Sequence, residues 1–200
     1  MLNKIVAKML AINRIGLFWA MRISIDRFFL GILAKIFKFH PWHADAPTSA
    51  RHYRLLVAKI VNELKPKTVV EVGCGLGEIL IRINAPEIYG YDADEGAIRA
   101  ARFLRGKKVI FIHGDLKTVA LQQIDVLILI NWINKISPAS LEEQLIPLIQ
   151  RTRYLLLDAL DPAVPGYKHN FKFLASKTKL ISINRPQREN RSFHLFKVLA

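Results

Sequence analysis

Residues 69–77 read V-V-E-V-G-C-G-L-G, an apolar run that ends in three glycines at alternate positions. Glycine has no Cβ and tolerates positive φ, so a strand ending in such a turn can bring its backbone against a ligand. Asp92 closes the next apolar run, 21 residues after Glu71. This spacing places a carboxylate beside the glycine turn. Together the two features predict a nucleoside-binding crevice at the carboxyl edge of a parallel sheet.

Apolar runs alternate with longer amphipathic segments from about residue 50 to the end of the chain. This βαβα order predicts an α/β fold with a mostly parallel seven-stranded sheet flanked by helices. The last two runs predict a C-terminal antiparallel hairpin. The predicted strands are residues 68–72, 88–92, 108–113, 125–130, 154–158, 179–184 and 192–198. The predicted helices are residues 50–64, 77–83, 95–104, 139–150 and 169–176, with Thr48 or Ser49 as the N-cap of the first.

Residues 1–45 form a basic segment ahead of the main domain, which is expected to span residues 46–200. Its longest stretches without a charge are seven residues, so neither a transmembrane span nor a cleaved signal peptide is expected. On a helical wheel, one arc of roughly 120° holds four cations and the rest is mostly apolar. These cations are Lys4, Lys8, Arg14 and Arg22. Three interpretations suit such amphipathic helices: packing on the domain or a second copy, an interfacial position on an anionic membrane, or a lid over the active site.

The charge of the chain is concentrated at its two ends. The 200 residues carry a net charge of +14, with a mean hydropathy of +0.20. Residues 1–65 hold 11 basic and 3 acidic side chains, and residues 151–200 hold 10 and 3. Basic flanks favour an anionic partner, namely a phosphorylated substrate, a nucleic acid or an acidic membrane surface. The single cysteine, Cys74, excludes an intramolecular disulfide and favours the cytosol.

The glycine spacing indicates which ligand the turn suits. Gly73, Gly75 and Gly77 follow the rule G-x-G-x-G, and the dinucleotide spacing G-x-G-x-x-G is absent. Glu71 would crowd negative charge near a phosphate, so a positively charged ligand fits better. In this pattern the chain resembles the class I S-adenosylmethionine-dependent methyltransferases, whose first motif is an acidic residue with glycines two, four and six positions later. The resemblance implies a Rossmann-like fold over residues 50–200 and S-adenosylmethionine as the cofactor.

The resemblance also implies roles for residues at the ends of the predicted strands. Glu71 would support the cofactor near its ammonium group, and Asp92 would accept both ribose hydroxyls. Asp115 matches the position expected to accept from the adenine amino group, and Asn131 would face the sulfonium and the acceptor. The residues expected to bind the cofactor are Glu71, Gly73, Cys74, Gly75, Gly77, Asp92, Ala93, Asp115, Leu116 and Asn131.

The methyl acceptor is less well defined by the sequence. The fourth strand ends in N-W-I-N, residues 131–134, and lacks the Asn/Asp-Pro-Pro-aromatic tetrad usual in family members that act on exocyclic amines of bases or on glutamine. An oxygen acceptor is therefore favoured, and such acceptors usually need a base. His40 and His43 flank Trp42 and are the candidate bases, with Asn131 as a third catalytic candidate. Seating the N-terminal helices is the alternative role of the two histidines.

These observations predict a cytoplasmic S-adenosylmethionine-dependent methyltransferase (EC 2.1.1.-), peripheral to the inner face of a membrane. Its acceptor would be an oxygen of a small molecule, a saccharide or a lipid-linked compound, and could be anionic. Two alternatives stay open: an RNA methyltransferase, suggested by the isoelectric point near 10.1, and a non-catalytic membrane-associated scaffold of the same fold. No metal is expected, because Asn131 with Asp158 or Asp161 lacks an identifiable third ligand.

Overall fold

The computed structural model describes residues 16–45, 47–186 and 189–199. The predictions made for Lys4, Lys8 and Arg14 lie outside these residues. The helices are α1 (Leu17–Phe37), α2 (Trp42–Asp45), α3 (Tyr53–Glu63), α4 (Glu95–Arg105) and α5 (Pro138–Ile149). The strands are β1 (Thr68–Val72), β2 (Glu87–Asp92), β3 (Ile110–His113), β4 (Ile124–Leu129), β5 (Thr152–Leu160), β6 (Thr178–Asn184) and β7 (Arg191–Val198).

The seven strands form one sheet in the order β3-β2-β1-β4-β5-β7-β6. The first five are mutually parallel, and β7 runs antiparallel to both β5 and β6. The strand order reverses between β1 and β4, where ligands bind at the carboxyl ends of strands in open α/β sheets. The predicted Rossmann-like sheet with a C-terminal antiparallel hairpin is confirmed.

Both faces of the sheet are covered, which explains the continuous apolar runs of its central strands. One face packs against α3 and α4 through side chains such as Val57, Val61 and Ile98. The other packs against α5 through Leu141 and Leu145. Every residue of β4 except Asp125 is buried, as expected for the central strand of a doubly covered sheet.

Two of the predicted helices are wrong in type. Residues 77–83 form turns and one 3-10 turn (Leu80–Arg82), because Asn62 ends the segment by donating to the carbonyl of Arg82 and accepting from the amide of Asn84. Residues 169–176 contain only a 3-10 turn (Lys172–Leu174). There Phe171 adopts a left-handed conformation with φ 54°, which an α-helix cannot continue through.

The predicted N-cap of α3 is also wrong. The helix begins at Tyr53, and its N-cap residue makes no side-chain capping bond. Thr48 instead donates from its amide and hydroxyl to Glu78 Oε1, at 3.0 and 2.8 Å. Ser49 donates its hydroxyl to Asp26 on α1 at 2.6 Å. The two residues therefore tie the segment before α3 to the glycine turn and to α1.

Helix α1 lies against the domain by one side and ends beside α4. Leu30 and Leu33 are its buried side chains, and they pack in a small third core. Arg99 of α4 donates to the carbonyl of Phe37 at 2.9 Å. Gly96 permits this approach, since a Cβ there would lie 2.7 Å from that carbonyl oxygen and 2.8 Å from the Phe39 amide nitrogen. None of the described helices is both long and apolar enough to cross a membrane.

We expect Gly96→Ala to loosen the junction between α1 and α4, because the added methyl group meets backbone atoms that cannot rotate away. The free energy of unfolding should fall by about 1–3 kcal/mol in a urea titration, the usual cost of overpacking. Gly31→Ala is the matched control. A Cβ at Gly31 meets nothing within 4 Å, so this change should stabilise α1 by about 0.5–1 kcal/mol. Equal effects of the two substitutions would contradict the close packing at Gly96.

Candidate active site

A cavity of about 600 Å³ opens at the carboxyl ends of β1, β2 and β4. Its volume falls within the range of about 300–1,000 Å³ typical of small-molecule sites. Seven residues predicted for the site line it: Gly73, Asp92, Ala93, Asp115, Asn131, His40 and His43. A smaller cavity of about 30 Å³ adjoins it under the glycine turn and is lined by Glu71, Cys74 and Gly75 among others.

The glycine turn, residues 73–77, is bent by positive φ at all three glycines. Asp92 fixes this bend from the end of β2, because one of its carboxylate oxygens accepts the Gly75 amide at 2.7 Å. The other oxygen accepts the Asp94 amide at 2.9 Å. Asp92 is buried yet still lines the cavity. A carboxylate held by two backbone donors is therefore oriented before any ligand arrives.

Glu71 lies beneath the turn as a buried carboxyl group. Its Oε2 has no hydrogen-bond partner among the described residues. Burial, reinforced by the charges of Asp92 and Glu78, raises the pKa of Glu71 well above its usual value, against the opposing charge of Arg54. An unsatisfied buried acceptor of this kind favours a cationic or hydrogen-bond-donating partner.

Cys74 is a buried thiol at the same turn. Burial raises the pKa of Cys74 well above its usual value, and the neighbouring Glu71 and Asp92 charges add to the effect. The thiolate is the nucleophilic form of cysteine, so the geometry favours a packing role.

Trp132 covers the first glycine of the turn. Its indole Nε1 donates to the carbonyl of Val72 at 2.6 Å. A Cβ at Gly73 would lie 2.2 Å from Cδ1 of that ring, so this position accepts only glycine while the ring stays there. Trp132 and the glycine turn therefore form one wall of the cavity.

Asn131 is held in a left-handed conformation, φ 75°, by partners on two neighbouring strands. Its amide donates to Asp158 of β5 at 3.0 Å, and its side-chain oxygen accepts from Arg191 of β7 at 2.9 Å. Arg191 also pairs with Asp158 at 2.8 Å. Burial raises the pKa of Asp158, against the charge of Arg191. Asp158 is thus paired with a guanidinium group rather than placed as a metal ligand.

The connector between α1 and α2 closes one side of the cavity. His43 packs on the glycine turn, since a Cβ at Gly75 would lie 2.8 Å from its Nδ1. Its Nε2 lies 3.6 Å from Asp94 Oδ2, which also accepts the His40 amide at 2.7 Å. Burial lowers the pKa of His43, although Asp92 and Asp94 act in the opposite direction. The imidazole is therefore kept neutral near pH 7.

Cations surround Trp42 on the same side of the cavity. The guanidinium carbon of Arg51 lies 4.6 Å from the centre of the indole ring, and the Lys135 ammonium nitrogen lies 5.2 Å from it. Arg51 Nη1 is buried without a hydrogen-bond partner in the described part of the chain. Burial, with the nearby charges of Arg54 and Arg191, lowers the pKa of Arg51, while Tyr53 opposes this.

Two predicted cofactor residues lie away from both cavities. Gly77 packs against Phe111, because a Cβ there would lie 2.5 Å from the end of that ring. Leu116 is fully buried in the core beneath the turn that follows β3. Asp115 lines the main cavity, but one of its oxygens already accepts from the amides of Lys117 and Thr118.

Several residues at the site were not in the predicted set. They are Trp42, Arg51, Arg54, Glu78, Asp94, Trp132, Lys135 and Gln144. Glu78 occupies the position at which the dinucleotide spacing G-x-G-x-x-G, counted from Gly73, would have its third glycine. Its ion pair with Arg54 and its bonds to Thr48 join Glu78 to one segment that lies 24 to 30 positions earlier in the sequence. No motif spacing signals such a partnership.

The chain was compared with family models, with curated proteins and with solved structures, and only solved structures are similar to it. No family model matches the sequence, and no curated protein matches it. The chain is similar in structure to magnesium protoporphyrin IX methyltransferase from Synechocystis PCC 6803 with bound S-adenosylmethionine (TM-score 0.62, 17% identity, covering 75% of this chain and 81% of that one). It is also similar to the N-methyltransferase NodS from Bradyrhizobium japonicum WM9 in complex with S-adenosylhomocysteine (TM-score 0.66, 13% identity, 80% and 92%).

A third similar structure is a putative RNA methyltransferase from Pyrococcus horikoshii (TM-score 0.56, 14% identity, covering 74% of this chain and 85% of that one). The fold is that of the class I methyltransferases. The predicted fold resemblance is therefore confirmed. The three neighbours differ in their acceptors, so the methyltransferase fold by itself leaves the acceptor open. Among the described residues, no group of three or more His, Cys, Asp or Glu side chains is arranged to hold a metal ion.

The buried Glu71 carboxyl should make stability depend on pH. Its pKa is raised in the folded chain, so between the ordinary pKa of about 4.3 and the raised value the folded state binds more protons than the unfolded state. The contribution of Glu71 to the free energy of unfolding is therefore present in full at low pH and lost as pH rises. Glu71→Gln should abolish this loss and be more stable than the native chain at pH 8, measured by urea unfolding from pH 5 to 8. Glu63→Gln, an exposed control, should follow the native curve.

Proposed function

We propose that the chain is an S-adenosylmethionine-dependent methyltransferase acting on an oxygen of a small anionic acceptor. The observation that carries the proposal is the glycine turn clamped by Asp92 above a buried, unsatisfied Glu71, in a fold whose neighbours were crystallised with this cofactor or its product. The proposal separates the cavity into a cofactor half and an acceptor half.

The cofactor half has the chemistry that a cationic nucleoside requires. The unpaired Oε2 of Glu71 would accept from the cofactor ammonium, which would also satisfy a buried group that otherwise lacks a partner. Asp92 retains free lone pairs on oxygens already oriented by backbone donors, so it would hold the ribose hydroxyls. Gly73, Ala93 and Asp115 complete this half of the cavity wall. Gly77 and Leu116 would support it from the core.

Bound S-adenosylmethionine supplies a methyl group on a cationic sulfur, whose charge disappears when the group is transferred. The protein's main task is then to align an acceptor and to remove its proton where necessary. Asn131 bears on the choice of acceptor atom. An amine acceptor needs oxygens that accept its N–H groups, but the Asn131 side-chain oxygen is already engaged by Arg191. This supports an oxygen nucleophile.

The histidines are the proposed source of a base. The pKa of His43 is lowered by burial, so its ring is neutral at physiological pH, as a proton acceptor must be. Asp94 Oδ2, 3.6 Å from Nε2, would stabilise the imidazolium that forms when the ring accepts a proton. His40 uses its own Nδ1 to accept the Trp42 amide at 3.2 Å. His43 is thus the stronger candidate.

The cations around Trp42 support a negatively charged acceptor. Lys135 lines the cavity, and Arg51 brings a buried, unpaired guanidinium nitrogen to the same indole ring. An anionic group on the acceptor would give the Lys135 ammonium and the Arg51 Nη1 a charged partner. The indole offers a flat apolar surface on which a ring of the acceptor can stack.

Asp92→Ala should weaken binding of S-adenosylmethionine and S-adenosylhomocysteine by at least about tenfold, because the hydrogen bonds from the ribose hydroxyls to a charged group are lost. Isothermal titration calorimetry gives the affinities, and circular dichroism shows whether the variant is folded. Asp161→Ala is the control, since that carboxylate pairs with Arg185 away from the cavity. Failure of the native chain to bind either compound would refute the cofactor assignment.

Lys135→Gln should lower the efficiency of methyl transfer to an anionic acceptor by about tenfold, because a screened charge contact is lost, and leave cofactor affinity unchanged. Parallel assays transfer labelled methyl groups to a small-molecule extract of the source cells, with anion-exchange separation of the products, and to total RNA from the same cells. Lys59→Gln, exposed on α3, is the control. Label appearing in RNA would favour the alternative RNA methyltransferase, and label on neutral or cationic products would contradict an anionic acceptor.

A further inference from the structure

Helix α1 carries a wholly apolar stripe on the side that faces away from the domain. At 100° per residue, eight exposed apolar side chains fall within an arc of about 120°. Their exposed fractions range from 43% to 75%. The stripe consists of Leu17, Phe18, Met21, Ile25, Phe28, Phe29, Ile32 and Ile36.

The opposite side of α1 fixes the direction in which the stripe points. Leu30 and Leu33 are buried against the domain, and Asp26 accepts the Ser49 hydroxyl. Arg27 donates to the carbonyl of Asp45 at 2.8 Å. These contacts hold residues 26–33 of the helix by one face. The stripe is therefore a fixed surface and cannot turn inward without breaking them.

The stripe is larger than a monomer ordinarily leaves in water. A phenylalanine offers about 150–250 Å² of surface, so its three phenylalanines alone expose roughly 300–500 Å². The largest apolar patch on a typical monomer measures about 300–600 Å² in total. Five aliphatic side chains add to the phenylalanines here, so the surface requires a partner that covers it.

Charge identifies the kind of partner. Arg22 and Lys35 lie at the two borders of the stripe on the helical wheel, and no charged residue lies between them. The whole chain carries +14, so two copies meeting through this face would bring like charges together. An anionic bilayer satisfies both features, because its acyl boundary accepts the apolar side chains and its headgroups pair with flanking cations.

We propose that α1 lies in the interface of an anionic membrane, with this stripe inserted at the boundary between headgroups and acyl chains. The helix of 21 residues then lies along the surface over about 31 Å. His40 follows the last stripe residue, Ile36, by four positions and lines the cavity. Membrane docking thus holds the wall of the cavity near the headgroups. Membrane binding of α1 is a separate property from methyl transfer, and it does not require that the chain be a methyltransferase.

Vesicle sedimentation of the full chain tests the proposal. Binding is expected to vesicles of phosphatidylcholine with phosphatidylserine, with weaker binding to phosphatidylcholine alone and a decrease at high salt. Ile25→Ser/Ile32→Ser should reduce the partition coefficient at least tenfold, since two isoleucines that would insert into the bilayer are lost. Ile181→Ser/Ile183→Ser makes the same change at two equally apolar exposed positions on the edge strand β6 and should bind like the native chain.

Three outcomes would overturn the proposal. The first is no sedimentation of the native chain with anionic vesicles at low salt. The second is an equal loss of binding in both double variants. The third is a native dimer by light scattering that Ile25→Ser/Ile32→Ser converts to a monomer, which would assign the stripe to a second copy of the chain. Circular dichroism of each variant establishes that it is folded, and cofactor titration reports separately on the proposed enzyme.

Discussion

The site depends on the bond between the Asp92 carboxylate and the backbone of the glycine turn. Positive φ at three alternate glycines turns the chain away from β1 at the topological switch point of the sheet. The Gly75 amide would have no partner in this bend without the carboxylate of the neighbouring strand. Because glycine has no Cβ, ring side chains pack directly on the turn: Trp132 contacts Gly73, and His43 contacts Gly75. The wall of the cavity is thus made of rings packed directly on backbone.

The sheet could be predicted from the sequence because its central strands are continuous apolar runs bounded by turn residues. All seven strands lie within a few residues of their predicted positions, and Asp92 and Asn131 lie at the strand ends where the pattern placed them. Two of the short predicted helices were wrong, because short segments carry little periodic pattern. Residues 77–83 were predicted as a helix but contain one 3-10 turn, and Asn62 of α3 bonds to the backbone on both sides of its end. Local propensity carries no information about that contact.

The surroundings of the cavity illustrate the same limit. The Arg54–Glu78 pair and the Asn131–Asp158–Arg191 network join residues 24 to 60 positions apart, on segments brought together only by the sheet order. Helix α1 was ambiguous for a different reason. It is apolar on two sides, one buried against the domain and one exposed, so its sequence is compatible with packing, with a lid and with a membrane surface at once. Only the packed structure separates the two faces.

Asp94 both caps helix α4 and holds the segment that closes one side of the cavity. Its carboxylate caps α4 by accepting the Ala97 amide, and through its other oxygen it accepts the His40 amide and lies near His43. Moving residues 40–45 away from the cavity would break the bond from the His40 amide to the Asp94 carboxylate, which is worth about 1.5–3 kcal/mol. Molecules whose entry requires that motion would meet a conformer populated at only a few per cent or less, and their apparent affinity would fall by the same fraction. Entry would then be governed by a pre-existing equilibrium as well as by complementarity.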